Sequence, residues 1–278
     1  MKKLVLTGAA GRLGSYLREP LSKLAETLVS TDLADGIGTL YPGETYVQAD
    51  VADKAAVEAL LEGADMVVHF GNIADEAPFE DILGPNIVGS YNIWRAAEIH
   101  GVRRVVYASS IHAVGMHDRT DRITPESAHR PDGFYGLSKC FTEDLARLYW
   151  DKFQIEAVCL RIISCAQVTN ARALGTHLSY DDLIQLVERS IDTPYVGFTV
   201  VYGVSNNDRS PVDNSSAAFL GYRPTANAEE HAARILAEDG LADLSDPGKL
   251  KHGGPFAAVR PGESGQAQMN IPDDRKTN

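Results

Sequence analysis

Short, almost unbroken apolar runs alternate along the chain with longer stretches in which apolar residues return at helical spacing. The runs are Leu4-Val5-Leu6-Thr7, Thr27-Leu28-Val29-Ser30-Thr31, Thr45-Tyr46-Val47-Gln48-Ala49, Met66-Val67-Val68-His69-Phe70, Arg104-Val105-Val106-Tyr107-Ala108, 155–162 and Thr199-Val200-Val201-Tyr202. Runs without polar alternation are expected of strands buried on both faces, as in a parallel sheet. Between them, Leu13, Leu17, Leu21 and Leu24 share one helical side, as do Leu137, Phe141, Leu145, Leu148 and Tyr149. Stretches 53–61, 86–100, 180–190 and 226–237 also read as helices. The alternation predicts an α/β fold, a Rossmann-type doubly wound parallel sheet with a small C-terminal substrate-covering region. Residues 1–165 would form the core and 166–262 the smaller region, interleaved with it; 263–278, polar with scattered Gly and Pro, would be a mobile tail.

The first run feeds directly into Gly8-Ala9-Ala10-Gly11-Arg12-Leu13-Gly14, and a helical pattern follows. Glycines permit a tight turn and close approach to a pyrophosphate, and a helix N-terminus supplies unpaired N–H groups and the positive end of its dipole. This predicts a dinucleotide site. The second run ends at Asp32, placed to accept hydrogen bonds from the adenosine ribose and to repel a 2′-phosphate, which favours NAD over NADP. Asp32 also suits a turn or cap role, and Arg12 is a cation that can reach a 2′-phosphate. The third run leads to Asp50-Val51, where the acid can meet the adenine amino group or cap a helix; Asp53 is the better cap. The fourth ends in Phe70-Gly71, beneath the adenine–ribose side, and His69 within it reads as a core histidine.

Composition narrows the partners. A net charge of −12 over 278 residues argues against binding nucleic acid or an anionic membrane. Three cysteines, without CxxC spacing, read as reduced thiols of a cytoplasmic protein. Lys2-Lys3 before a short apolar run mimics a signal peptide, but the run is too short, and none approaches the ~18 residues of a membrane span. Eight histidines show no HExxH or paired Cys/His spacing, so no metal is expected.

The fifth run ends at Ser109-Ser110, at the edge where open α/β sheets bind ligands. Downstream, Tyr135 and Lys139 stand four apart, on one face of a predicted helix. A Lys⁺ beside a phenol lowers its pKa, and a phenolate is a general base for an alcohol proton. The same spacing occurs on ordinary solvated helices. The loop 111–132 is too long for a plain connection and is expected to line a substrate pocket.

Taken together, Thr7-Gly8-x-x-Gly11-x-x-Gly14, Asp32, Asp50, Ser110 and Tyr135-x-x-x-Lys139 resemble the extended short-chain dehydrogenase/reductase family. Within it, Phe79-Glu80-x-Ile82-Leu83, Arg130-Pro131-Asp132-Gly133-x-Tyr135 and Ser179-x-Asp181-Asp182 are similar to segments of the bacterial uronate dehydrogenases, over roughly residues 1–235. The resemblance implies oxidation of D-glucuronate or D-galacturonate at C1 with NAD⁺ to the aldarolactone. It implies Ser110, Tyr135 and Lys139 as catalytic residues, with Gly8, Gly11, Arg12, Leu13, Gly14, Asp32, Asp50, Val51, Phe70 and Gly71, and again Tyr135 and Lys139, around the cofactor. Ser110, His112, Tyr135, Ser164, Arg172 and Phe256 would meet the sugar, Arg172 through the uronate carboxylate; read alone, Arg172 is equally a surface salt-bridge residue. Ile111 stands where the family has asparagine, and Ala74 where it has serine. By the same resemblance the protein would be a homo-oligomer. A nucleotide-sugar epimerase or dehydratase of the same fold is the second reading, and a non-catalytic NAD-sensing protein the third.

Overall fold

The computed structural model describes residues 1–239, 246–268 and 274–276. Among them, seven strands form one parallel sheet in the order β3-β2-β1-β4-β5-β6-β7. They are β1 (Lys3–Thr7), β2 (Thr27–Asp32), β3 (Glu44–Gln48), β4 (Met66–His69), β5 (Arg104–Tyr107), β6 (Glu156–Ile162) and β7 (Phe198–Gly203). The order reverses between β1 and β4, and this switch point opens the crevice in which such sheets bind ligands.

The sheet is covered on both faces because successive strand residues point oppositely. Leu4 and Leu6 of β1 pack with Leu17 and Leu21 of α1 (Arg12–Ser22). Val5 between them packs on the other side with Val57 of α2 (Lys54–Leu61). Asp53 caps α2, accepting from Ala55 and Ala56 N–H. Next come α3 (Phe79–Ile82) and α4 (Gly89–His100), joined by a π-helical stretch, Leu83–Val88, into one continuous helical run. Pro85 lies in that stretch; a proline cannot donate to the helical ladder, and the wider turn accommodates it. The sequence pattern predicted a helix only from residue 86. The helix α5 (Phe134–Phe153) carries Tyr135 and Lys139 and packs against α4. Then follow α6 (Ala173–Thr176) and α7 (Tyr180–Asp192), the latter covering the α1 face. Last come α8 (Ala232–Asp239) and α9 (Pro247–Leu250).

Of the tail expected from Glu263, residues 269–273 and 277–278 lie outside the described residues. Gly265 and Gln266 donate backbone N–H to Asp75 Oδ1, both at 3.1 Å. Asp274 accepts from Tyr180 Oη at 2.7 Å, and Lys276 pairs with Glu19 of α1 at 2.8 Å. No described helix is long and apolar enough to cross a membrane.

Candidate active site

The carboxyl ends of the central strands open into a cavity of about 1490 Å³. All the residues singled out above for cofactor, chemistry and sugar lie on its wall: Gly8, Gly11, Arg12, Leu13, Gly14, Asp32, Asp50, Val51, Phe70, Gly71, Ser110, His112, Tyr135, Lys139, Ser164, Arg172 and Phe256.

One half of the cavity is made largely of backbone. Gly8 follows β1 at φ +75°, and a Cβ there would come within 2.6 Å of the Phe70 carbonyl. A Cβ at Gly14 would strike the Gly8 carbonyl oxygen. Only glycine lets turn, helix and β4 end approach so closely. No side chain caps the N-terminus of α1, so its first-turn N–H groups suit an anion. Asp32 Oδ2 accepts from Ala10 N–H at 3.0 Å and Oδ1 from Leu33 N–H at 2.8 Å. The carboxylate thus serves the turn while also lining the cavity; a carboxylate has lone pairs for both tasks. Asp50 accepts from Ala52 N–H at 2.8 Å. Arg12 lies near enough to Tyr180 and Cys165 for its charge to favour their ionised forms, and it shares the cavity wall with Asp32. His69 is fully buried; its Nδ1 meets Thr7 Oγ1 at 2.8 Å, and burial pulls its pKa to about 3, leaving it neutral.

The three candidate catalytic residues meet at the end of β5. Ser110 is paired with Ile162 of β6 and hydrogen-bonds Tyr135. Lys139 donates to Asn72 Oδ1 and to the Ala108 carbonyl, each at 2.8 Å, and lies 5.1 Å from the Tyr135 ring centroid. The electrostatics differ from the sequence expectation. Burial pushes the Tyr135 phenol up to about 12; the Ser110 hydrogen bond opposes this, and the carboxylates of Asp132 and Asp75 add to it. Burial pulls Lys139 down to about 7, against the carboxylate of Glu143 one turn further along α5. Desolvation disfavours each charged form and is the largest cause of both shifts. Burial also acts to raise Glu143, but hydrogen bonds from His129, Arg161 and Ser109 hold it down to about 2.

The other half is made of side chains from distant stretches. Arg172 donates to Ser164 Oγ at 3.0 Å and to the His252 carbonyl at 2.6 Å, while its Nε is buried without a partner. Among the described residues no carboxylate forms an ion pair with it, so the salt-bridge reading does not hold there. Burial, then the nearby Arg119, lower its pKa to about 10, with Asp132 opposing. Gly254, at φ +62°, lies flat against it; a Cβ would come within 2.8 Å of Nε. His112 Nδ1 contacts Asp132 Oδ2 at 2.7 Å, and its ring stacks on Phe256 with centroids 3.8 Å apart. With Nδ1 donating to the carboxylate, Nε2 is left as an acceptor.

Sequence reasoning missed four side chains that hold this arrangement. Asn72 takes one donor of Lys139. Asn86 of the π turn brackets Ile73 and reaches Ser138 Oγ at 3.1 Å. Asp75 and Glu76, on the loop after β4, bind the C-terminal segment. None carries a local motif; the unusual Pro85 was the one available hint of a turn there. Among the described residues no cluster of His, Cys, Asp and Glu suits a metal, and the three cysteines are free and buried.

Residues 4–166 match the NAD dependent epimerase/dehydratase family. The chain is 46% identical over 260 residues to the uronate dehydrogenase of Pseudomonas putida, covering 93% of this chain and 97% of that protein. It is 35% identical to the NAD-dependent glucose-6-phosphate dehydrogenase of Haloferax volcanii, covering 82% and 94%. Among solved structures, the glucuronic acid dehydrogenase of Chromohalobacter salexigens superposes with a TM-score of 0.90 at 43% identity, covering 93% and 97%. A point mutant of the Agrobacterium tumefaciens uronate dehydrogenase complexed with NAD gives 0.89 at 44%, covering 94% and 98%. UDP-galactose 4-epimerase, at 19% identity and 0.65, shares the fold. With this identity along nearly its whole length, the chain belongs to the uronate dehydrogenases, within the NAD-dependent epimerase/dehydratase family.

Proposed function

We propose that this protein oxidises C1 of a cyclic hexuronate with NAD⁺, giving the aldarolactone and NADH. The observation that carries the reading is Arg172: a guanidinium without an acid partner among the described residues, set beside Ser164 in the cavity that also holds Ser110, Tyr135 and Lys139. Its planar fork matches a carboxylate bidentately. The glycine turn and uncapped α1 hold the pyrophosphate, and Asp32 the adenosine ribose. When bound, NAD⁺ supplies the hydride acceptor and a positive charge at the nicotinamide.

Tyr135 takes the proton from the C1 hydroxyl. Its raised pKa makes ionisation the demanding step, and the two groups that ease it are the Ser110 hydrogen bond and the Lys139 ammonium. Ser110 donates to the same oxygen as it becomes the lactone carbonyl. His112 accepts from a ring hydroxyl through Nε2, and Phe256 covers it. The protein works in the cytoplasm as a homo-oligomer. Apolar side chains exposed along α4 (Tyr91, Ile99) and α5 (Leu137, Phe141, Leu148) support a second copy packing there.

NADH absorbance with glucuronate and galacturonate, wild type against Tyr135→Phe, tests the proposal. The wild type is expected to form NADH and the variant to lose roughly 10²–10⁴-fold in rate. No NADH with either sugar overturns the substrate; an unimpaired variant overturns the base; a preference for NADP⁺ overturns the role of Asp32.

A further inference from the structure

The catalytic helix lacks a cap of its own. Gly133, its N-cap residue, has no side chain, and α5 begins with Phe134 and Tyr135. The missing acceptor comes from Glu76, far away in sequence and 3% exposed. Glu76 Oε1 accepts from Phe134 N–H at 2.8 Å, and Oε2 from Tyr135 N–H at 2.7 Å. Gly133 makes room for it, since a Cβ there would strike Oε2. A carboxylate at this end of a helix also gains from the dipole.

The same oxygen that holds Phe134 holds the C-terminal segment. Glu76 Oε1 also accepts from Gly262 N–H at 2.8 Å. Its neighbour Asp75 accepts from Ser264 Oγ at 2.5 Å and from the N–H groups of Gly265 and Gln266 at 3.1 Å. Gln266 Nε2 returns the bond to the Ala74 carbonyl at 2.5 Å. This segment continues the stretch that lays Phe256 on His112. Two adjacent carboxylates therefore clamp the chain that roofs the sugar half, and one of them sets the backbone of Tyr135.

We propose that Glu76 is a positioning residue that makes the alignment of Tyr135 depend on the docking of segment 262–266. The proposal rests on Tyr135 being the base. Undocking the segment removes one of three donors from a buried carboxylate and admits water at the end of α5. Glu76 then shifts or rehydrates, and Tyr135 loses its fixed place relative to Ser110. Buried charges keep their position only while their partners are complete.

The test uses the full-length enzyme, with Glu76→Gln and Asp75→Asn. Amide hydrogen exchange is read in peptides spanning 262–266 and 134–136, together with kcat, KM for hexuronate and NAD⁺ affinity. Glutamine keeps the shape but replaces one acceptor oxygen by a donor. Glu76→Gln is expected to speed exchange in both peptides and to lower kcat by about tenfold or more, as a small misplacement of a reacting group does, with NAD⁺ affinity within about twofold of wild type. Asp75→Asn loosens the segment while leaving the Glu76 side chain and its bonds to Phe134 and Tyr135 in place, and is expected to speed exchange at 134–136 as well. Unchanged exchange at 134–136 in Asp75→Asn overturns the coupling, as does an unchanged kcat in Glu76→Gln once exchange has risen. If Glu76→Gln does not fold, Asp75→Asn decides by itself. The exchange readout needs no substrate, so it stands apart from a failure of the wild type to oxidise hexuronates.

Discussion

The two halves of the cavity are built by opposite means. The cofactor half is mostly main chain: a turn that needs glycine at 8 and 14, an uncapped helix end and the ends of adjacent parallel strands. The half proposed for the sugar is side chains brought from separate stretches: His112, Ser164, Arg172 and Phe256, with Asp132 behind them. A main-chain site recognises what every dinucleotide shares, through geometry that tolerates few substitutions. A side-chain site recognises one functional group, and it holds its charge at a cost in stability. Arg172 shows that cost, with a buried Nε and no acid partner among the described residues.

The sharpest way to break the contrast is Arg172→Ala. Loss of a buried charged partner weakens recognition by about 2–5 kcal/mol, so kcat/KM for a hexuronate should fall roughly 30–5,000-fold. Stability should not fall with it, because the variant no longer buries an unpaired guanidinium. Steady-state kinetics and a thermal melt check both arms. A loss of activity below about threefold would mean that Arg172 does not grip the carboxylate.

The same contrast explains what the sequence made legible. The strands and most of the helices that cover them follow from apolar runs and helical spacing, which are local signals. The glycine turn is local too, because main-chain geometry is written in consecutive residues. The Tyr135–Lys139 spacing was legible, but its electrostatics were not. Burial sets both shifts, and burial belongs to the assembled fold. Glu76 and Asn72 left no trace because their partners are main-chain groups or side chains far along the chain, and nothing at their own positions marks that. Arg172 was found through family resemblance; alone it read equally well as a surface residue.

Gly8→Ala attacks the cofactor half. At φ +75°, with the Phe70 carbonyl 2.6 Å from the new Cβ, the turn must deform. NAD⁺ affinity, measured by titration calorimetry, should weaken about tenfold or more, a cost of ~1–3 kcal/mol. KM for the sugar at saturating NAD⁺ should stay within about twofold if the halves are separable. A larger rise in the sugar KM than in the NAD⁺ Kd would dissolve the division.

Asp132→Asn sharpens the sugar half by a smaller amount. Its carboxylate orients His112 and adds to the upward shift of Tyr135. Neutralising it should bring the ascending limb of the kcat/KM profile, which follows ionisation of Tyr135, to lower pH, since one charge opposing the phenolate is gone. The sugar KM should rise several-fold, about 3–10-fold, as the His112 tautomer is no longer fixed. A limb that moves to higher pH contradicts this account.

Lys139 stands at the seam, and its effect on the fold is the smallest and most specific of these. Its folded-state pKa of about 7 lies below the ordinary 10.5. Between those values the unfolded chain holds a proton that the native protein has released. Native stability therefore rises with pH across that window, and the penalty for burying the ammonium is fully present below about pH 7. In Lys139→Met that penalty is gone, but Asn72 Oδ1 and the Ala108 carbonyl lose their donor at every pH. The absolute melting temperature mixes these effects; its pH dependence isolates the charge. Relative to wild type, the variant should gain a few degrees more at about pH 6 than at about pH 10. An equal difference at both pH values would show that Lys139 enters the fold without a desolvation penalty.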